Sequence, residues 1–182
     1  MKFNNKLFSD LAEKEWRTYM STTSFEFFSL RMQQIPEALL KINQILNTVK
    51  FSRIIEIGAG DAGLSCLLAL FCRNKKIPFH SFDIHDKGVN VGQLRELTDG
   101  FEVKDVIFND TNVEYVAQLI KGEGLTLLIC DAGKKIEGNI FMRHLKVDDC
   151  IMFHDFARNE EFFKQHIQGR IWNWLECTYA QI

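Results

Sequence analysis

The stretch Gly58-Ala59-Gly60-Asp61-Ala62-Gly63 is where the residue types and spacing of this chain bear most directly on chemistry. It matches the pattern G-x-G-x-x-G. An apolar run, Arg53 to Ile57, precedes it and reads as a strand; Leu64 to Cys72 follows and reads as a helix. Glycines let the backbone turn tightly and come close to a bound group. Asp83 stands twenty residues beyond Gly63, at the end of the next apolar run, where a carboxylate can accept hydrogen bonds from both hydroxyls of a ribose.

Two nucleoside ligands compete for such a loop: a dinucleotide and S-adenosylmethionine. Three features separate them. Glu56 lies two residues before Gly58 on an otherwise apolar strand, where dinucleotide sites usually carry an apolar residue. A carboxylate buried there is costly without a task. The predicted strand ends are rich in acids, namely Glu56, Asp61, Asp83, Asp110 and Asp131. A sulfonium and an ammonium would be attracted to them and a pyrophosphate repelled. About fifty residues precede the loop, whereas dinucleotide folds often begin with it.

Glu56-Ile57-Gly58-Ala59-Gly60, with Gly63 and Ser65 following, resembles the first motif of class I S-adenosylmethionine-dependent methyltransferases. The resemblance implies that Gly58 and Gly60, with the neighbouring Glu56 and Asp61, line the cofactor and that Asp83 holds its ribose. Asn109 and Asp110 fall where that family often contacts adenine. On its residues alone Asp110 reads equally well as a helix N-cap, shared with Thr111.

A second constellation follows the fourth and fifth predicted strands: Asp131-Ala132-Gly133-Lys134, and Phe153-His154-Asp155-Phe156. It resembles the metal-dependent small-molecule O-methyltransferases, the catechol and caffeoyl-CoA type and the wider cephalosporin-biosynthesis methyltransferase-like group. Asp131 and Lys134 match an Asp-x-x-Lys after the fourth strand, and Asp155 the Asp of an Asp-Asn after the fifth. Phe156 stands where the Asn belongs. The resemblance implies a Mg2+ held by Asp131 and Asp155, with His154 as a replacement ligand, and Asp131 and Lys134 as the catalytic pair. Lys134 could take a proton from a substrate hydroxyl if burial or a nearby cation depressed its pKa. On the residues alone, Asp131 could accept backbone N–H groups at a helix start, Lys134 could be a solvated charge, and His154 a satisfied histidine beside Asp155.

These residues need elements to position them. Residues 1–50 read as helical or irregular, with a helix from Pro36 to about Val49. Strands are expected at Arg53–Ile57, Phe79–Phe82, Val103–Phe108, Leu125–Cys130, Cys150–Phe153 and Leu175–Tyr179. Helices are expected at Leu64–Cys72, Asn112–Lys121, Glu137–Leu145 and Glu160–Gln168. The alternation predicts an α/β fold: a Rossmann-like, doubly wound, mostly parallel sheet of six or seven strands with helices on both faces. In such sheets the ligand lies beyond the carboxyl ends of the strands, where strand order reverses. The methyltransferase family has seven strands and only six are counted, so an unpaired edge favours a homodimer or a covering segment. The resemblance also implies that the N-terminal region, including Thr22-Thr23-Ser24 and Met32 to Pro36, covers the cofactor.

At 182 residues the chain suits one domain, a helical cover over 1–50 and a core over 51–182. A net charge of -2 gives no bulk attraction to nucleic acid. No apolar run approaches a membrane span, and Met1 to Lys6 does not lead into a signal peptide. Five cysteines in apolar stretches, without a Cys-x-x-Cys pair, read as buried thiols in a reducing, cytoplasmic setting. The expected activity is transfer of a methyl group from S-adenosylmethionine to the oxygen of a small hydroxylated molecule, with Mg2+ assistance as an option. An NAD(P)-dependent oxidoreductase and a non-catalytic S-adenosylmethionine-binding protein are the alternatives.

Overall fold

The structure, a computed structural model, describes residues 25–27, 30–34, 36–83, 100–103, 109–169 and 175–182. In chain order the elements are β1 (Phe25–Phe27), β2 (Leu30–Met32), α1 (Pro36–Thr48), β3 (Arg53–Ile57), α2 (Gly63–Lys75), β4 (Phe79–Asp83), β5 (Gly100–Val103), α3 (Asp110–Lys121), β6 (Thr126–Cys130), α4 (Lys134–Phe141), β7 (Cys150–Phe153), β8 (Phe156–Ala157), α5 (Glu160–Phe162) and β9 (Cys177–Thr178). A π-helical turn, Phe163–Ile167, extends α5.

Five strands form one parallel sheet in the order β5-β4-β3-β6-β7. Alternation along its strands explains its two apolar faces. Ile54, Phe79, Leu127 and Ile129 point to one side and pack with Leu39, Ile42 and Leu46 of α1 and Leu64, Leu67 and Leu68 of α2. Ile55, Ile57, Phe82, Leu128 and Cys130 point to the other and pack with Val116 and Ile120 of α3 and Phe141 of α4. Strands buried on both faces are apolar nearly throughout, as β6 is. Glu56 is the exception on β3.

Several sequence expectations need correction. The region read as helical or irregular contains an antiparallel pair, β1 with β2. The third strand of the core lies at Gly100–Val103, earlier than Val103–Phe108; residues 104–108 lie outside the described residues. Among the described residues the parallel sheet has five strands, against the six or seven expected. The segment expected as a sixth strand shrinks to β9, which pairs in parallel with β8 in a separate small sheet. A turn at His154-Asp155 separates β7 from this pair. Thr22-Thr23-Ser24 lie outside the described residues.

Among the described residues, no helix is long and apolar enough to cross a membrane. None of the five cysteines is in a disulfide; Cys66, Cys72, Cys130 and Cys177 are buried, as expected, and Cys150 is only partly so.

Candidate functional site at the carboxyl ends of the strands

Because β3, β4, β6 and β7 are parallel and in register, their carboxyl ends open on one side. Backbone pairing runs one residue beyond the strands: Gly58 N–H donates to Phe82 O, Asp131 N–H to Ile57 O, and His154 N–H to Cys130 O. That places Gly58, Asp83, Asp131 and His154 along one rim. The central strand β3 has β4 on one side and β6 on the other, so chain direction diverges at Gly58 and Asp131.

The loop after β3 is held by close packing. Gly58 has φ +96°, and a Cβ there would lie 2.6 Å from the carbonyl carbon of Asp131. Only glycine fits both the conformation and the approach. Gly60 N–H donates to Asp83 Oδ2 at 2.9 Å, and Ala62 N–H donates to Ala59 O at 2.8 Å. The loop amides at 58, 60 and 62 are therefore all engaged within the fold. Asp83 is drawn toward the loop, and it is buried.

Glu56 is 1% exposed. Ser81 faces it in register on β4, and Ser65 reaches it from the first turn of α2; both hydroxyls donate to Glu56 Oε2 at 2.5 Å. Its Oε1 has no hydrogen-bond partner among the described residues. Burial pushes the carboxyl up to about 8, with Asp131 and Asp83 adding repulsion and the two serines working against the rise. Glu56 is thus mostly protonated at neutral pH.

The second constellation also assembles. Asp131 Oδ1 receives Lys134 Nζ at 3.2 Å and His154 Nδ1 at 2.9 Å, while Asp131 Oδ2 accepts Gln34 Nε2 at 2.9 Å. Lys134 also meets Glu176 Oε2 at 2.5 Å, and His154 Nδ1 meets Asp155 Oδ2 at 3.3 Å. Asp155 is buried and takes a left-handed conformation, φ 51°, which an Asp tolerates better than most residues. Its carbonyl accepts Glu176 N–H, tying the C-terminal segment to the turn.

Burial works against the charge on His154, but hydrogen bonds to Asp131 and Asp155 outweigh it and raise its pKa to about 9. Burial likewise lowers the pKa of Lys134, and the pairing with Glu176 and Asp131 more than reverses this, leaving it raised. The depressed pKa that a basic Lys134 requires is not present in this arrangement. In this arrangement the imidazole and the ammonium already occupy Asp131 Oδ1, so a divalent metal held by Asp131, His154 and Asp155 would have to displace a proton and the lysine. Among the described residues no group of three or more His, Cys, Asp or Glu is arranged to hold a metal ion.

Asn109 and Asp110 sit exposed at the start of α3. Asn109 is the N-cap, its Oδ1 accepting Asn112 N–H at 2.9 Å, and Asp110 lies in the first turn. The capping role weighed for Asp110 belongs to its neighbour. Asp61 accepts Gln33 Nε2 at 2.7 Å and pairs with Arg31 at 3.7 Å.

The sequence reading did not single out Gln33 or Gln34 as ligands of the rim, nor Glu137 and Glu176. Glu137 had a local signal: it lies four residues after Gly133, whose N–H donates to its Oε1 at 2.7 Å in place of a side-chain N-cap. Fully buried, it is pushed up to about 7 by burial, against the pull of the Gly133 and Ala132 amides. Gln34 had none, being 97 residues from Asp131.

Comparison with family models, curated proteins and solved structures returned no match.

Proposed function

We propose that the chain binds S-adenosylmethionine beside the Gly58–Gly63 loop and is a methyltransferase of small hydroxylated molecules, built on a Rossmann-like, doubly wound sheet. The observation that carries this reading is the bond from Gly60 N–H to Asp83 Oδ2. A dinucleotide needs amides of such a loop for its pyrophosphate. Here a carboxylate has taken the amide and would repel a phosphate brought to it. A nucleoside with a cationic tail meets no such conflict.

When bound, S-adenosylmethionine supplies a methyl group already activated on a sulfonium. The residues of the chain then have to bind, orient and exclude water. Asp83 would accept from the ribose hydroxyls. Lys134 and His154 hold their positive charge in pairs with Asp131, Asp155 and Glu176, so neither takes the proton of the acceptor hydroxyl in this arrangement. No step is assigned to Mg2+.

The self-neutralised cluster of Asp131, Lys134 and His154 favours one second reading, a cofactor-binding protein without turnover. Titration calorimetry with S-adenosylhomocysteine and with NAD tests the first point. Binding of S-adenosylhomocysteine alone is expected; binding of NAD alone would end the proposal. Methyl transfer to any member of a phenol panel separates the enzyme from the silent binder. In either case the expected setting is cytoplasmic and the partner a small molecule.

A further inference from the structure

Three side chains from one short stretch, Arg31, Gln33 and Gln34, reach two different loops of the candidate site. Gln33 and Arg31 take Asp61, in the loop after β3. Gln34 takes Asp131, in the loop after β6, and is 7% exposed. The backbone follows the side chains down. A Cβ on Gly63 would lie 2.4 Å from Arg31 O, and one on Gly60 would lie 2.9 Å from Gln33 Oε1. The stretch therefore rests directly on the glycine turn and the start of α2. It presents a guanidinium and two carboxamide N–H2 groups, the chemistry that a cationic ligand would bring to the same carboxylates.

We propose that the side chains of Arg31, Gln33 and Gln34, carried on a backbone that Met32 anchors in the core, are a self-docked latch, closing the glycine loop and competing with the ligand for it. A cover that helped hold a bound cofactor would raise affinity; a latch lowers it, because the ligand binds only the open fraction and its apparent dissociation constant is divided by that fraction. Competition rests on the binding reading given above. Docking of the latch does not, and the two are tested separately.

The experiment uses the full chain with Gln33→Ala and, separately, Gln34→Ala. Without ligand, hydrogen exchange is followed at the amides of Gly60 and Ala62. Exchange several-fold faster in the variants, at unchanged thermal midpoint, is the expected result. Unchanged exchange in both overturns the latch. Gln34 is buried, so its variant risks misfolding; Gln33 is exposed, and its variant then decides alone. S-adenosylhomocysteine is then titrated into each form. Binding roughly threefold tighter than in the intact chain is expected, corresponding to an open fraction of about a third or less. Equal or weaker binding in a variant with faster exchange also overturns the latch, since the stretch is then a wall of the site. If S-adenosylhomocysteine binds no form, the cofactor reading fails, and the exchange result still decides whether the stretch is docked.

Discussion

Asp83 Oδ2 lies 2.9 Å from the amide nitrogen of Gly60, so the carboxylate that ends β4 is fastened to the glycine turn that follows β3. The bond spans two adjacent parallel strands and ties the two loops of the rim together. Replacing Asp83 with Ala should weaken S-adenosylhomocysteine binding by about 1–3 kcal/mol, the usual cost of losing charge-assisted hydrogen bonds. Calorimetry reads this directly, and undiminished affinity would remove Asp83 from the ribose role.

Gly58→Ala should cost stability without any ligand present. Its φ of +96° is unfavourable for a side chain, and the new methyl would overlap the Asp131 backbone. A loss of at least about 2 kcal/mol is expected from urea unfolding. A loss below a few tenths would mean that the loops after β3 and β6 are not in contact in solution.

Glu56, Glu137 and His154 all have pKa values raised above their ordinary ones, to about 8, about 7 and about 9. A group raised in the folded state contributes stability that is complete below its unfolded pKa and is lost as pH rises through its folded value. Stability should therefore fall from about pH 5 to pH 9, most steeply where the three windows overlap between pH 6.5 and 7, with each group adding up to about 1.4 kcal/mol per pH unit. Glu56→Gln keeps an acceptor for Ser65 and Ser81 and removes the titration. Its denaturation midpoint should depend less on pH than that of the wild type, and parallel profiles would contradict the burial argument.

Asp131→Asn removes the charge that His154 and Lys134 share. The His154 pKa should drop by at least one unit, read from the imidazole proton shifts in a pH titration. An unmoved titration would show that Asp155 alone holds the proton. Mg2+ added to the wild type should leave the same imidazole signals in place, because the cluster is already neutralised from within.

The core was legible where one physical pattern dominated. Strands β3, β4, β6 and β7 were expected within a residue or so of where they stand, because each carries large apolar residues in a short run, most fully in β6, which is buried along its whole length. Residues 100–103 and the C-terminal segment were harder, since a short strand at a margin carries no such run. The N-terminal pair β1 and β2, of three residues each, gave no period long enough to read.

What the amino-acid order determined by itself was local: a strand, a glycine turn and a helix, with an acid at each of several strand ends. That follows because backbone conformation and burial depend on near neighbours. Only the tertiary structure decided which charges those acids keep. Asp131 meets Lys134, His154 and Gln34 across three separate segments, and burial makes Glu56 hold its proton more tightly although Ser65 and Ser81 donate to it. Electrostatic environment is a sum over neighbours in space, and residues 34 and 131 become neighbours only when the chain has folded.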